Sequence, residues 1–414
     1  MNIIRNSSSI FLGLLLFIYP IYSIFSAFGL ILIFPFNFIN ISLATGVIFI
    51  FILSIIVGIY KFNIYNLISF SFFILLIVTI IINYNIYSKT EDERLINAIR
   101  YYLPFIIISL SCFIAGYINP FFFVRKWYAY FILLIITSLT FIVINYTSLQ
   151  SLRLDFNKLV NSNYIGVYQL IGDSLSFCIL LFIARKNIPL RYKYILFIIS
   201  FIILFTFNSR ASFFSFLFAI TSIFIINKKN ILRNIFLFLI LLFSLYFIVN
   251  GLYSTYYSKD IIELLKDYNH RMYDILTGNF LLDPSVQGRL SLLTHSLDVI
   301  VSNPLAGEFA SQANINIDGF GIRWGAYTHN ILVYWDQFGI LPFLLLIFLL
   351  SHSFKDCLFI KKELNLNLIP LFLFVIVEQV FMRSFNYYLI FLYIGITQGI
   401  INEYRYSHNN KKFI

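Results

Sequence analysis

Arg289, His329 and Asp336 share a polar interval of an otherwise very apolar chain, and their types suit chemistry on a phosphate ester. A guanidinium offers five donors in a fixed fork and keeps its charge at any relevant pH, so Arg289 could grip phosphate oxygens. The bland alternative is a solvated loop arginine. His329, followed by Asn330, could take a proton from a hydroxyl near neutral pH as a general base; it could equally be an interfacial histidine satisfied by backbone carbonyls. Asp336 lies seven residues on, about two helical turns deeper on the same face. From there it could orient the histidine only through water or another side chain.

A second set of charges sits among apolar runs. Arg210 occupies the turn Asn208-Ser209-Arg210. A charge so placed is costly unless it is paired or faces a water-filled cavity, which makes function the default hypothesis. The same logic marks Glu378, Arg383 and Asp173, with a structural ion pair to another helix as the alternative for each. Glu378 and Arg383 are five apart, a spacing that does not share one face of an α-helix well. The histidines (His270, His295, His329, His352, His408) do not cluster at ligand spacing, and no HExxH or DxD pattern occurs, so neither metal nor other cofactor is expected. Phosphate loops of the Walker type and a GxSxG elbow are also missing from the sequence.

The elements that must position these residues are membrane helices. Hydrophobic residues make up 60% of the chain and charged ones 11%, which excludes an ordinary soluble domain. Apolar runs of about 18–25 residues recur, the length that crosses a bilayer as a helix. The expected fold is therefore an all-α polytopic membrane protein of about 12 spans. They fall near Ile10–Phe34, Ile41–Tyr60, Ile64–Tyr84, Tyr101–Ile118, Trp127–Tyr146, Tyr164–Ala184, Tyr192–Asn208, Ala211–Ile226, Ile231–Gly251, Thr328–Ser351, Leu368–Met382 and Phe385–Ile401. This divides the chain into a nine-span bundle (1–251), a polar loop (252–327) and a three-span segment with a tail (328–414). The loop carries two amphipathic helices, Lys259–Leu276 and Ser285–Val301. The second shows a stripe of Leu290, Leu293, Leu297 and Ile300 or Val301, and Asn303-Pro304 ends it. The charged stretch Lys89–Arg100 reads as a short outer connection, interfacial in character.

With the N-terminus inside, inner connections collect Lys61, Arg125, Lys126, Arg185, Lys193, Lys228, Lys361 and others. The short outer connections hold Lys89, Arg94, Arg100, Arg153, Lys158, Arg210 and Arg383, fewer than the inner set, as the positive-inside rule requires. The net charge of +11 thus reflects membrane orientation and does not argue for nucleic acid as a partner. Cys112, Cys178 and Cys357 fall in spans or on the inner side, so no disulfide staples the loop.

Several of these features occur together in a known order. The Arg289 helix leads to Asn303–Gly307 (NPLAG), then to His329–Asn330 and Gln337–Phe343 (QFGILPF). Phe205–Phe214 (FTFNSRASFF) and Glu378–Ser384 (EQVFMRS) accompany them. In that order and topology the chain resembles the bacterial O-antigen polymerase and O-antigen ligase superfamily. It departs from the family pattern at Leu293, where a tryptophan is usual, and at Glu308, where a glycine pair is usual. The resemblance implies a metal-independent glycosyltransferase of the C-type membrane fold, with one large periplasmic loop, in the bacterial inner membrane. It implies a donor glycan carried on undecaprenyl pyrophosphate and admits a chain-length regulator as partner. Under it, Arg289 and Arg210 hold the pyrophosphate and stabilise its departure, and His329 activates the acceptor hydroxyl. Asn330, Arg383, Glu378 and Asp336 are the further residues expected at the substrate. A polymerase is favoured over a ligase, and a lipid-linked glycan transporter is the alternative of a different class.

Overall fold

The computed structural model describes residues 36–56, 64–87, 93–120, 135, 167–185, 188–206, 209–226, 284–311, 316–317, 321–322, 330–383, 385 and 387–411. Within them the regular structure is helical apart from one two-residue antiparallel ladder, β1 (Asn316–Ile317) with β2 (Gly321–Ile322). The expected spans Ile10–Phe34, Trp127–Tyr146 and Ile231–Gly251 and the expected helix Lys259–Leu276 lie outside the described residues, apart from Ile135.

Among the described residues two helices, α2 (Ile64–Tyr87) and α9 (Ile340–Glu363), are long and apolar enough to cross a bilayer. Each is predominantly apolar and buries one face. On α2, Phe72, Phe73, Leu76 and Ile80 are buried, while Leu67, Ile74, Val78 and Ile81 are exposed. Apolar side chains on the uncovered face of such a helix are those that lipid solvates. The observed start of α9 corrects the expected span Thr328–Ser351. A separate short helix, α8 (Val333–Phe338), comes first, and Gly339 divides the two with φ 87°. A left-handed residue cannot continue a helix, and glycine adopts that conformation without steric cost. A second correction concerns Lys89–Arg100: from Glu93 onward it is the beginning of α3 (Glu93–Ile118), continuous with the fourth span.

Helix α1 (Phe36–Ile56) packs on α3, and α3 packs most extensively on α11 (Leu389–Lys411). The closeness of the latter pair comes from Gly116, Gly395 and Gly399. A Cβ at Gly116 would stand 2.7 Å from the Leu392 carbonyl oxygen, and one at Gly399 2.6 Å from that of Tyr117. The GxxxG of Gly395–Gly399 lets two backbones approach where hydrophobicity alone cannot drive association. The two helices run parallel, with Tyr102 beside Phe385 at one end and Tyr117 beside Gly399 at the other.

A second group holds α4 (Val167–Ile183), α5 (Leu190–Thr206), α6 (Arg210–Ile226) and α10 (Ile369–Val377). Helix α5 ends at Thr206 and α6 begins at Arg210, and Asn208 of the expected turn between them lies outside the described residues. At one end of this group Lys193 donates through Nζ to the carbonyls of Ile183 (2.8 Å) and Arg185 (2.6 Å), where α4 finishes. A cation there satisfies carbonyls that have no helical donor. Beside it the Asn367 amide donates to Ala184 (3.2 Å), just after the basic last turn of α9, Lys361 and Lys362. The opposite end, where α4 and α6 begin and α10 finishes, carries the candidate site.

Candidate functional site

The site starts from an irregularity in α10. After Val377 the chain makes one π-helical turn, Glu378–Met382, in which the Arg383 amide donates to the Glu378 carbonyl at 2.7 Å. In such a turn residues five apart share a face. This corrects the expectation that Glu378 and Arg383 point apart: Arg383 Nε lies 2.9 Å from Glu378 Oε2.

The rest of the Arg383 fork reaches two further helices. Nη1 donates to Gln169 Oε1 (2.8 Å) on α4, and Nη2 to Asp173 Oδ1 (2.7 Å) and Ser212 Oγ (3.2 Å). Ser212 Oγ also donates to Asp173 Oδ1 (2.5 Å), and Ser209 Oγ lies 2.7 Å from Ser212 Oγ. Asp173, Glu378 and Arg383 are all buried. The approach of α6 to α4 depends on Gly172, where an added Cβ would stand 2.6 Å from Ser209 Oγ and 2.9 Å from Ser209 Cβ. One arginine thus ties α4, α6 and α10 together beside the residue that opens α6, Arg210. The Arg210 side chain itself lies outside the described residues.

Helix α7 (Pro284–Ser302) and α8 form a second polar assembly at the same end of the bundle. Asp336 is buried and accepts from Ser296 Oγ on α7 (2.9 Å) and Ser311 Oγ in the following loop (3.0 Å). Its backbone carbonyl accepts the Glu308 amide at 2.6 Å. Gln337 Oε1 accepts from Tyr102 (2.8 Å) and from the Ala310 amide (2.8 Å), while its Nε2 donates to Ser311 Oγ (3.1 Å). The NPLAG segment wraps this corner. Trp335 Nε1 donates to the Pro304 carbonyl (2.7 Å), the Ile340 amide donates to Leu305 (3.2 Å), and Gly307 takes φ 65° against the backbone of α8. Burial pushes the Asp336 carboxyl up to about 6, against the hydrogen bonds of Gln337, Ser296 and Ser311 and the nearby His295, which pull it down.

Of the expected site residues, the structure brings Glu378 and Arg383 into contact, and Arg289 lies close enough to interact electrostatically with Glu378. Arg289 is half-buried on α7. Asp336 belongs to the α7–α8 seam. Asn330 is engaged locally, its Oδ1 accepting the Leu332 amide at 2.8 Å in an Asx turn that leads into α8. His329 lies outside the described residues. The apolar stripe expected on α7 divides between two surroundings: Ile300 faces the protein together with Leu292, Ser296 and Val299, while Leu290, Leu297 and Val301 are exposed. Sequence reading missed Gln169, Ser209, Ser212, Tyr102 and Gln337, all neutral groups. The one available signal was serine recurring at three-residue spacing across the start of α6.

The family described as O-Antigen ligase matches residues 195–347, a segment that contains Arg210, Arg289, His329, Asn330 and Asp336. The match supports the O-antigen polymerase and ligase superfamily, whose members are membrane proteins and glycosyltransferase-like enzymes of O-antigen assembly. Neither a curated protein nor a solved structure matches the chain.

Proposed function

We propose that this chain is an O-antigen polymerase of the inner membrane. It transfers a glycan from undecaprenyl pyrophosphate onto a second lipid-linked repeat unit at the periplasmic face. One observation carries the reading: Arg289 on α7 reaches electrostatically to Glu378, at the same end of the bundle where α6 opens with Arg210. Two arginines on different elements there can close on a diphosphate without nucleotide or metal. That end is opposite the basic one, and the positive-inside rule assigns the basic end to the cytoplasm.

In the proposed step His329 takes the proton of the acceptor hydroxyl, and that oxygen forms a bond to the anomeric carbon of the donor. The bond from that carbon to the phosphate oxygen breaks, and undecaprenyl pyrophosphate leaves with the electron pair. Charge gathers on the leaving group, where the guanidinium groups of Arg289 and Arg210 stabilise it. Arg383 and Glu378, occupied with each other and with α4, form the floor that sets the start of α6. Asp336 and Asn330 hold the loop in register.

A ligase, which would use the same donor but the lipid A core as acceptor, is the second reading, favoured by the description of the matching family. Lipopolysaccharide banding of a deletion strain separates them. A polymerase mutant leaves core capped by a single repeat, whereas a ligase mutant leaves bare core and accumulates lipid-linked polymer. Complementation with His329→Ala or Arg289→Ala should fail. If both variants restore normal chain length and attachment, the enzymatic reading falls and a transporter of lipid-linked glycan takes its place.

A further inference from the structure

Helix α7 has three faces. Leu292, Ser296, Val299 and Ile300 pack into the protein. Leu290, Leu297 and Val301 fall within about 40° of one another on the helical wheel, at 100° per residue, and are 49%, 46% and 81% exposed. Next to them Thr294, Asp298 and Ser291 make an exposed polar sector. A globular helix has two faces, one for the core and one for water. The apolar third face needs a solvent of its own, since uncovered apolar stripes of this kind mark protein or membrane contact.

What covers it follows from where the stripe leads. It continues into Leu305, 77% exposed, whose carbonyl accepts the amide of Ile340 at the head of α9. The next exposed apolar residues are Leu341 and Leu344, on the uncovered side of that span. The stripe is therefore an extension of the face that α9 turns to lipid. An independent marker sets the level. Trp335 stacks on Phe343 of α9 with ring centroids 5.1 Å apart, while its indole N–H reaches the Pro304 carbonyl. An aromatic with its body on a span and its polar tip among backbone groups is the arrangement found where hydrocarbon meets headgroups.

We infer that α7 lies in the membrane interface at the site end of the bundle, with Leu290, Leu297, Val301 and Leu305 embedded in that leaflet. Asp298 and Thr294 face the aqueous phase. Arg289 then falls on the protein-packed side of the helix, about 20° from Ser296 and Ile300 on the wheel and within electrostatic reach of Glu378, beside the leaflet in which a phosphate borne on a lipid arrives by lateral diffusion. The inference concerns the bilayer as partner and holds for whichever acceptor the enzyme uses.

The test places a bimane at Leu297→Cys, Val301→Cys or Asp298→Cys in the full chain, reconstituted in vesicles containing phospholipids that carry a nitroxide at a shallow acyl position. Cys112, Cys178 and Cys357 are buried, so labelling is selective for the new site. Quenching by the lipid nitroxide should be several-fold greater at positions 297 and 301 than at 298, and quenching by aqueous iodide should run the other way. Equal aqueous quenching at all three positions would overturn the inference. Leu305→Cys, beyond the helix, gives the same reading if the helix variants fail to fold. A transferase without activity but with lipid-quenched probes leaves the interfacial helix standing and removes only the catalytic assignment.

Discussion

The site end of the bundle buries carboxylates in two ways. In the network of α4, α6 and α10, Asp173 and Glu378 share the guanidinium of Arg383, which links three helices. In the α7–α8 seam Asp336 is met by the hydroxyls of Ser296 and Ser311. The first solution fixes membrane helices against one another with charge. The second attaches a loop helix to that frame with hydrogen bonds, at the cost of a carboxyl whose proton is held more tightly than usual. A rigid floor with a lighter, hydrogen-bonded roof is the division expected where a substrate must enter between them.

The largest effect should come from removing the shared cation. Arg383→Ala leaves two buried carboxylates without the guanidinium that contacts both, and breaking a buried pair from one side costs about 3–5 kcal/mol. The full chain in nanodiscs should melt many degrees lower. Adding Asp173→Asn and Glu378→Gln should recover much of the loss, since the orphaned charges are then gone. A melting curve for Arg383→Ala that overlays the wild type would erase the contrast between the two assemblies.

A smaller break acts through space. Gly172→Ala places a methyl against Ser209 and Ser212, and Ser209 Cβ has nowhere to rotate. Overpacking of this kind costs about 1–3 kcal/mol. It should also displace the start of α6, and with it Arg210, lowering polymer yield in a complemented deletion strain at equal protein level. Ser209→Ala in the same chain should restore part of both. If Gly172→Ala melts and polymerises like wild type, α4 and α6 are not held as closely as the serine ladder requires.

These comparisons also separate what the sequence made legible from what it hid. Glu378, Arg383 and Asp173 stood out because charges inside apolar runs are expensive. That logic does not say which of them meet. The partnership of Glu378 with Arg383 depends on a π-turn, for which α-helical periodicity gives the wrong answer. Asp336 was tied to His329 by a helical register that Gly339 and the Asx turn at Asn330 replace with a short separate helix. Leu290, Leu293, Leu297 and Ile300 or Val301 were read as one apolar stripe, because periodicity reports apolar positions without saying whether protein or lipid covers them. Gly172 and Gly395–Gly399 passed unnoticed, since a glycine's value lies in the neighbour it admits.

The seam should respond to pH through its one buried carboxyl. The Asp336 carboxyl in the folded protein sits at about 6, above its ordinary 3.8, because burial penalises the charged form. Its contribution to stability is then fully present below about pH 4 and lost as pH climbs through 6. Asp336→Asn keeps the shape and removes the titration. Its melting temperature should exceed that of wild type at pH 7 and fall level with it or below near pH 4, a difference bounded by about 3 kcal/mol. Parallel pH profiles for the two chains would mean that Asp336 is not desolvated as the seam requires.

The mildest probe of the seam is Tyr102→Phe. The tyrosine ring packs on Phe385, Phe309 and Phe338, and its hydroxyl donates to Gln337 Oε1. Phenylalanine keeps the ring contacts and removes one hydrogen bond, while Gln337 Oε1 retains the Ala310 amide. The expected loss is about 0.5–1.5 kcal/mol, the net value of one such bond. Tyr102→Ala should cost several times more because the aromatic cluster opens. If Tyr102→Phe were as damaging as Tyr102→Ala, the hydroxyl would be holding the roof to the frame. The seam would then be a polar lock on a par with Arg383, and the distinction between a charged floor and a hydrogen-bonded roof would fail.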